Sequence, residues 1–383
     1  MSSNLLNLFV ICNVLFEENF NNGIENWTHS YWKGEYSADF VSGKGSFFAD
    51  EVESMALMTN ASARFYTIAK NFEEFSNSGK DLFVQYTVKN EQNIDCGGAY
   101  LKLFPPGVQL ENIKGGESET PYNIMFGPDI CGSTKKVHFI MRYNETNLEL
   151  KKPVACSSDQ FTHHYMFALN KNGTYSLFVN DKEEATGELR TDWSFLQPRT
   201  IKDPDVFKPT EWVDDPYMDD PSDFKPEGWD DIPAQINDPD AKTPDDWNED
   251  EDGEWEAPMI DNPEFKGEWK VKRIANPDYK GEWQHPLIDN PDYKDDEYIG
   301  NYTFGAIGFE IWQVKAGTAF DSIHISDNEE EAMRAKDKAL ELKKKESERY
   351  DEQQKKDQST EADDLSEHTD TQEDDEEVEK DEL

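Results

Sequence analysis

Short runs in which apolar residues recur at every second position fill the chain from about Phe16 to Leu196. They include Leu82–Val88 (LFVQYTV), Ala99–Phe104 (AYLKLF), Lys136–Arg142 (KVHFIMR), His164–Leu169 (HYMFAL) and Thr174–Val179 (TYSLFV). Alternation of this kind puts one face of a strand in a core and the other outside. Asn172 and Gly173, between two such runs, have the composition of a tight hairpin turn. Regularly spaced strands with turns between them predict a β-sandwich. The pattern returns at Gly305–Val314 and Phe320–Ile325. Two strands alone bury too little to stand, so residues 295–327 are expected to complete the sandwich begun by residues 16–200. From Asn328 to about Tyr350 the period becomes helical, with Ala332, Ala335, Ala339 and Leu342 along one side. Glu329–Glu331 stand early and Lys343–Lys345 late, as the helix dipole favours. Beyond Tyr350 the large aliphatics are Leu365, Val378 and Leu383, which predicts a disordered acidic tail through residue 383.

Residues 201–294, which interrupt the sandwich, are repetitive. IKDPDVFKPTEWVDD begins at Ile201, MDDPSDFKPEGWDD at Met218 and INDPDAKTPDDWNED at Ile236; GEWEAPMIDNPEFK, GEWKVKRIANPDYK and GEWQHPLIDNPDYK follow from Gly253, Gly267 and Gly281. Fixed-period self-similarity marks a repeat architecture. Prolines every few residues exclude a continuous helix or a central strand. Three units of one kind followed by three of another predict a chain that runs out and returns, first kind against second, with Trp247 to Trp255 at the turn. Each extended half would reach on the order of 100 Å at most, at ~3.3 Å per residue.

Composition narrows the partners. The 383 residues carry a formal net charge of −44, which repels nucleic acid and favours cations and basic protein surfaces. No apolar stretch is long enough to span a membrane. The run Leu5–Phe16 reads as a secretory signal, placed at residues 1–15. The C-terminal Lys380, Asp381, Glu382 and Leu383 form the address by which a retrieval receptor returns proteins to the lumen of the endoplasmic reticulum. That compartment permits glycosylation at the N-x-Ser/Thr tripeptides of Asn26, Asn60, Asn144, Asn172 and Asn301. It also permits disulfides. With Cys12 in the signal, Cys96, Cys131 and Cys156 allow three pairings; Cys96 with Cys131 is preferred because both sit in turn-like contexts. Such a bridge would contribute roughly 3 to 4 kcal/mol if unstrained. The chain has no CxxC pair, so neither a redox motif nor a zinc site is indicated.

The two kinds of repeat, in their order and number, resemble those of the proline-rich arm of the calreticulin and calnexin family. Gln92–Phe104 (QNIDCGGAYLKLF) and Tyr122–Cys131 (YNIMFGPDIC) are similar to the two signature segments of that family's lectin domain. The resemblance implies a mostly β fold: a concanavalin- or legume-lectin-like sandwich with an inserted proline-rich hairpin arm, a C-terminal helix and an acidic tail. It implies binding of monoglucosylated N-glycans. Tyr100, Lys102, Tyr122 and Asp129 would bond sugar hydroxyls, Met125 would lie against the ring, and Trp312 would contribute from the strand after the arm. Glu310 stands where the family usually has aspartate, one methylene shorter. A structural Ca2+ site would use side-chain oxygens of Asn19 and Asp321 with backbone carbonyls near Glu53 and Met55. Asp250, Asp252, Glu254 and Trp255 at the arm tip would recruit a protein disulfide isomerase-family oxidoreductase.

Three functions compete. A lectin chaperone would hold unfolded glycoproteins through their glycans, with calcium storage in the tail. A calcium buffer with an impaired lectin site is the alternative. A glycosidase needs two facing carboxylates, and the sugar segments offer no closely spaced acid pair, so an enzyme is not expected. A monomer is.

Overall fold

The structure, a computed structural model, describes residues 14–248, 250 and 253–369, with side chains as far as Gln358. The signal residues up to 13, Asp252, and the retrieval address Lys380–Leu383 lie outside the described residues. The chain divides into two units: Pro198–Tyr293, and the remainder on either side of it, which meets as one body.

The larger unit is a sandwich of two largely antiparallel sheets. The eight-stranded sheet orders its main strands as Lys182–Glu188, Thr174–Val179, His163–Leu169, Leu82–Asn90, Thr318–Ser326, Ala56–Thr59 and Phe40–Gly43, and Val14–Glu18 adds to Thr318–Ser326. Val14 and Leu15, assigned to the signal by the sequence boundaries, are thus already in a strand. The nine-stranded sheet runs through Thr146–Glu149, Thr134–Tyr143, Ile124–Cys131, Cys96–Gly98 with Leu101–Phe104, Thr303–Gln313 and Arg64–Ser76. Thr303–Gln313 and Thr318–Ser326 enter the middle of the two sheets, so the chain after residue 293 supplies central strands. Between the sheets lies an aromatic core in which Phe126, Phe139 and Phe167 pack ring on ring, with centroids 4.6 to 5.7 Å apart.

Leu82–Asn90 is buried at every position because it is covered on both faces. One face meets the core; the other meets the C-terminal helix, where Ala332 packs against Phe83 and Ala168. The helix spans Glu329–Thr369, which corrects the expected end near Tyr350. Residues 351–369 contain neither Gly nor Pro, and eight of the nineteen are Glu, Gln or Lys, all good helix formers, so the helix continues after its packing face ends.

A polar chain ties this helix to the sheet. Gln85 Nε2 donates to the Ala332 carbonyl at 2.8 Å, and Gln85 Oε1 lies 2.7 Å from His164 Nε2. Complete burial depresses the His164 pKa from 6.5 to about 3. Below pH 6.5 the unfolded chain therefore takes up a proton that the native state refuses, and stability falls as pH drops towards 3, by roughly 1.4 kcal/mol per pH unit. In denaturant titrations, wild type should lose roughly 2 kcal/mol more than His164→Gln between pH 7 and pH 5. Equal losses would remove His164 from the account.

In the smaller unit, three two-stranded ladders pair Ile201 with Ile288, Met218 with Ile274, and Ile236 with Ile260. Each ladder carries the same cross-link. Trp212, Trp229 and Trp247 donate their indole N–H to the carbonyls of Gly281, Gly267 and Gly253, at 2.9 to 3.0 Å. Those glycines open the second-kind units and adopt φ of 77° to 96°, a conformation that side chains resist. The asparagines Asn262, Asn276 and Asn290 donate across to backbone carbonyls of the other half. One tryptophan, one glycine and one asparagine thus replace the core that each short pairing lacks.

Candidate functional site

One face of the nine-stranded sheet gathers the residues that the sequence singled out for sugar binding. Lys102 stands directly opposite Met125 on one side and Gly308 on the other. Side chains two apart on a strand share a face, so Asp129 lies on that of Met125, and Glu310 and Trp312 on that of Gly308. Five of the seven residues are therefore fixed together by register alone.

Tyr100 is presented differently. The expected run Ala99–Phe104 is broken, the strands being Cys96–Gly98 and Leu101–Phe104. At the break the Tyr86 hydroxyl donates to the carbonyls of Ala99 and Phe126, at 2.7 and 3.1 Å. Gly127 at φ 132° faces it, and a Cβ there would stand 1.7 Å from that hydroxyl oxygen and 2.9 Å from the Tyr100 Cα. Glycine is required by this close approach. The Cys96–Cys131 disulfide ties the ends of the two paired strands beside it; Cys156 is buried and free.

Lys102 is the electrostatic centre. It is 2% exposed, and its Nζ lies 2.9 Å from Glu310 Oε2 and 2.5 Å from Glu119 Oε1. It also sits 5.0 Å from the Tyr122 ring centroid and 5.8 Å from that of Tyr100, within cation–π range. Burial, together with the surrounding carboxylates, raises the pKa of both phenols well above the ordinary value of 10. Both remain protonated donors. Met125 and Tyr122 form a small apolar floor with Ala69, Phe104, Leu110 and Ile113.

Glu119 was not found from sequence: it lies in an irregular loop, and only the fold brings it to Lys102. The two signature segments themselves hold no close acid pair; Glu119, from outside them, joins Glu310 on one ammonium. Glu310 is also covered from above, because a Cβ on Gly115 would fall 2.1 Å from its carboxylate oxygen. Asp129 is held by His138, whose Nε2 is 3.2 Å from Oδ2 while its Nδ1 lies 2.7 Å from Glu149 Oε1. Trp312 pairs with Phe65 at 4.6 Å between rings, and Phe65 in turn meets Trp32 at 5.5 Å. These residues, too, carried no signal beyond a strand pattern.

Three of the four residues expected at calcium, Asn19, Glu53 and Asp321, line two neighbouring cavities at the opposite sheet, and Met55 follows Glu53 by two residues. Glu18 pairs with Ile323, which brings Asn19 beside Ser322 and Asp321. Asp321 is the informative member: Oδ2 accepts from the Ser322 hydroxyl at 3.1 Å, while Oδ1 is buried without a partner. Burial raises its pKa from 3.8 to about 8. A carboxylate with a buried, orphaned oxygen calls for a proton or a cation. Glu53 and Ser322 line both neighbouring cavities, one shared with Asp321 and the other with Asn19. Met55 closes the turn from Val52. Among the described residues, no cluster of three His, Cys, Asp or Glu side chains of metal-binding geometry forms. The donor set expected there would be one carboxylate with amide and peptide oxygens, a chemistry that fits the oxygen-seeking Ca2+.

At the arm turn, Asp250 and Glu254 are exposed and Trp255 is half-buried; Trp247 closes this turn through its bond to the Gly253 carbonyl. Among the described residues, no helix is long and apolar enough to cross a membrane.

The two-sheet architecture with a long insertion before its last two strands defines a β-sandwich of the concanavalin and legume-lectin type. The Calreticulin family model matches residues 16–253 and 252–325. Calreticulin of Dictyostelium discoideum is 50% identical over 330 residues, 85% of this chain and 77% of that protein. Calreticulin of Caenorhabditis elegans is 49% identical over 327 residues, covering 84% and 82%. Among solved structures, the T. cruzi calreticulin globular domain superposes with a TM-score of 0.64 at 26% identity, covering 89% of this chain and 99% of that one. The chain belongs to the calreticulin family.

Proposed function

We propose that this protein is a calcium-binding lectin chaperone of the endoplasmic reticulum lumen, holding folding glycoproteins by monoglucosylated N-glycans. The observation that carries the reading is the shared face of Tyr100, Lys102, Tyr122, Met125 and Asp129. A hexose offers hydroxyls that both donate and accept, and C–H faces of low polarity. It is matched by two protonated phenols, an ammonium and a carboxylate around an apolar floor. The retrieval address and the signal give the location. The acidic C-terminal stretch, with Ca2+ held loosely by many carboxylates, supplies storage.

Glu310 shapes the affinity. Its carboxylate faces Lys102 beneath Gly115, which leaves it little freedom to reach a sugar hydroxyl. Glu310→Asp should tighten binding of a monoglucosylated oligosaccharide by about tenfold, the equivalent of one charged hydrogen bond gained; unchanged affinity in calorimetry would sink the idea. The same burial favours a second reading, a calcium buffer with a weakened sugar site. A glycan array that detects no glucosylated oligosaccharide for the wild type would favour it.

The arm tip is proposed to recruit a disulfide isomerase-family oxidoreductase through that partner's basic surface. Asp250 and Glu254, with Asp252, provide the charge, and Trp255 the aromatic contact. Complex formation should weaken steeply with added salt and be lost in Trp255→Ala. Binding that ignores both would move the partner elsewhere.

A further inference from the structure

We infer that the C-terminal helix is the lid of the calcium site, so that metal occupancy and helix docking are coupled. The inference rests on the calcium reading of Asn19, Glu53, Met55 and Asp321. Asp321 opens into a cavity of about 50 Å³ whose walls come from three places. The sheet gives Asp321 and Thr87, the loop after Gly43 gives Phe47 and Glu53, and the helix gives Leu342 and Glu346.

The helix is built onto the loop as much as onto the sheet. Glu346 is 3% exposed; its Oε1 lies 2.8 Å from Lys89 Nζ, and its Oε2 accepts from the Thr162 amide at 2.9 Å. Lys343 donates to the Thr162 carbonyl at 2.6 Å. Arg349 donates to the Phe48 carbonyl at 3.1 Å, and the Tyr350 ring packs on Phe47 and Phe161 at 5.0 and 5.3 Å. Lys338 approaches the Glu53 carboxylate at 3.4 Å, a contact compatible with metal binding because calcium would take the peptide oxygen there. The segment from Lys44 to Met55 is therefore sandwiched. Its far end offers carbonyls to the cation, and its near end carries the aromatic seat of the helix.

A cation that fixes the turn at Glu53–Met55 also fixes Phe47 and Phe48 beneath the helix. The docked helix, in return, walls Asp321 off from water, where a cation is held most strongly. Linkage makes the two effects equal in size.

The test measures hydrogen exchange of amides 329–350 and calcium affinity by calorimetry, on the full chain. In wild type, chelation should speed exchange of the helix by about tenfold or more, within the usual range of coupling between sites. The double variant Glu346→Ala, Tyr350→Ala replaces no proposed ligand and should weaken calcium binding by about tenfold. Arg349→Ala, milder for folding, should shift both readouts the same way. Calcium binding of undiminished affinity in both variants, with helix exchange indifferent to chelation, would overturn the lid while leaving the site. Absence of calcium binding by the wild type would overturn the site, and the lid with it.

Discussion

Lys102→Met should abolish binding of monoglucosylated oligosaccharide and destabilise the sandwich by about 3–5 kcal/mol, the usual consequence of removing one partner from a buried ion pair. The loss is large because the ammonium answers two carboxylates at once. Methionine restores the length of the stem and its packing on Tyr122, but leaves Glu310, 7% exposed, without a counter-charge. The triple variant Lys102→Met, Glu119→Gln, Glu310→Gln should regain most of the stability and none of the binding. Denaturant titration and calorimetry on the two variants separate these effects. If the single variant keeps its affinity, Lys102 serves packing alone and the sugar site lies elsewhere.

Asp321→Asn should act in opposite directions with and without calcium. The native pKa of about 8 stands above the ordinary carboxylate value of 3.8, so in the absence of metal the native state binds the proton more tightly than the unfolded chain. The stability this contributes is fully present below pH 4 and is lost as pH rises through 8. At pH 7 the buried acid therefore forfeits roughly 4 kcal/mol. An amide carries no charge to desolvate, so the variant should melt above wild type in chelator. Wild type should recover the deficit in calcium, whereas the variant should show no calcium-dependent rise in Tm. A calcium-induced rise in the variant equal to that of wild type would remove Asp321 from the ligand set.

The architecture was largely legible in the chain because period-two alternation survives wherever one face of a strand is buried and the other is not. Legibility failed where burial was two-sided or backbone rules gave way. Ala99–Phe104 read as one strand, yet the Tyr86 hydroxyl and Gly127 interrupt it, and no local pattern encodes a contact across the sandwich. The helix beyond Tyr350 was missed because low hydrophobicity suggested disorder, while helix propensity carries it past its packing face. At the candidate sugar face, Tyr100, Lys102, Tyr122, Met125 and Asp129, singled out through the family's segments, come together in the fold. Glu119, His138 and Phe65 were not singled out. Each reaches the cluster from a different strand or loop, and sequence separation hides a meeting that only sheet register creates.

The indole-to-glycine bonds in Pro198–Tyr293 have an evolutionary consequence. Trp229 is bonded to Gly267, and Trp212 and Trp247 to glycines on either side of it in the returning half. Loss of one repeat from either half would leave an indole and a glycine carbonyl without their mates and shift every rung beyond. Length in this unit can therefore change only by matched increments. One first-kind and one second-kind repeat must be gained or lost together, although from 6 to 69 residues of chain separate an indole from its glycine.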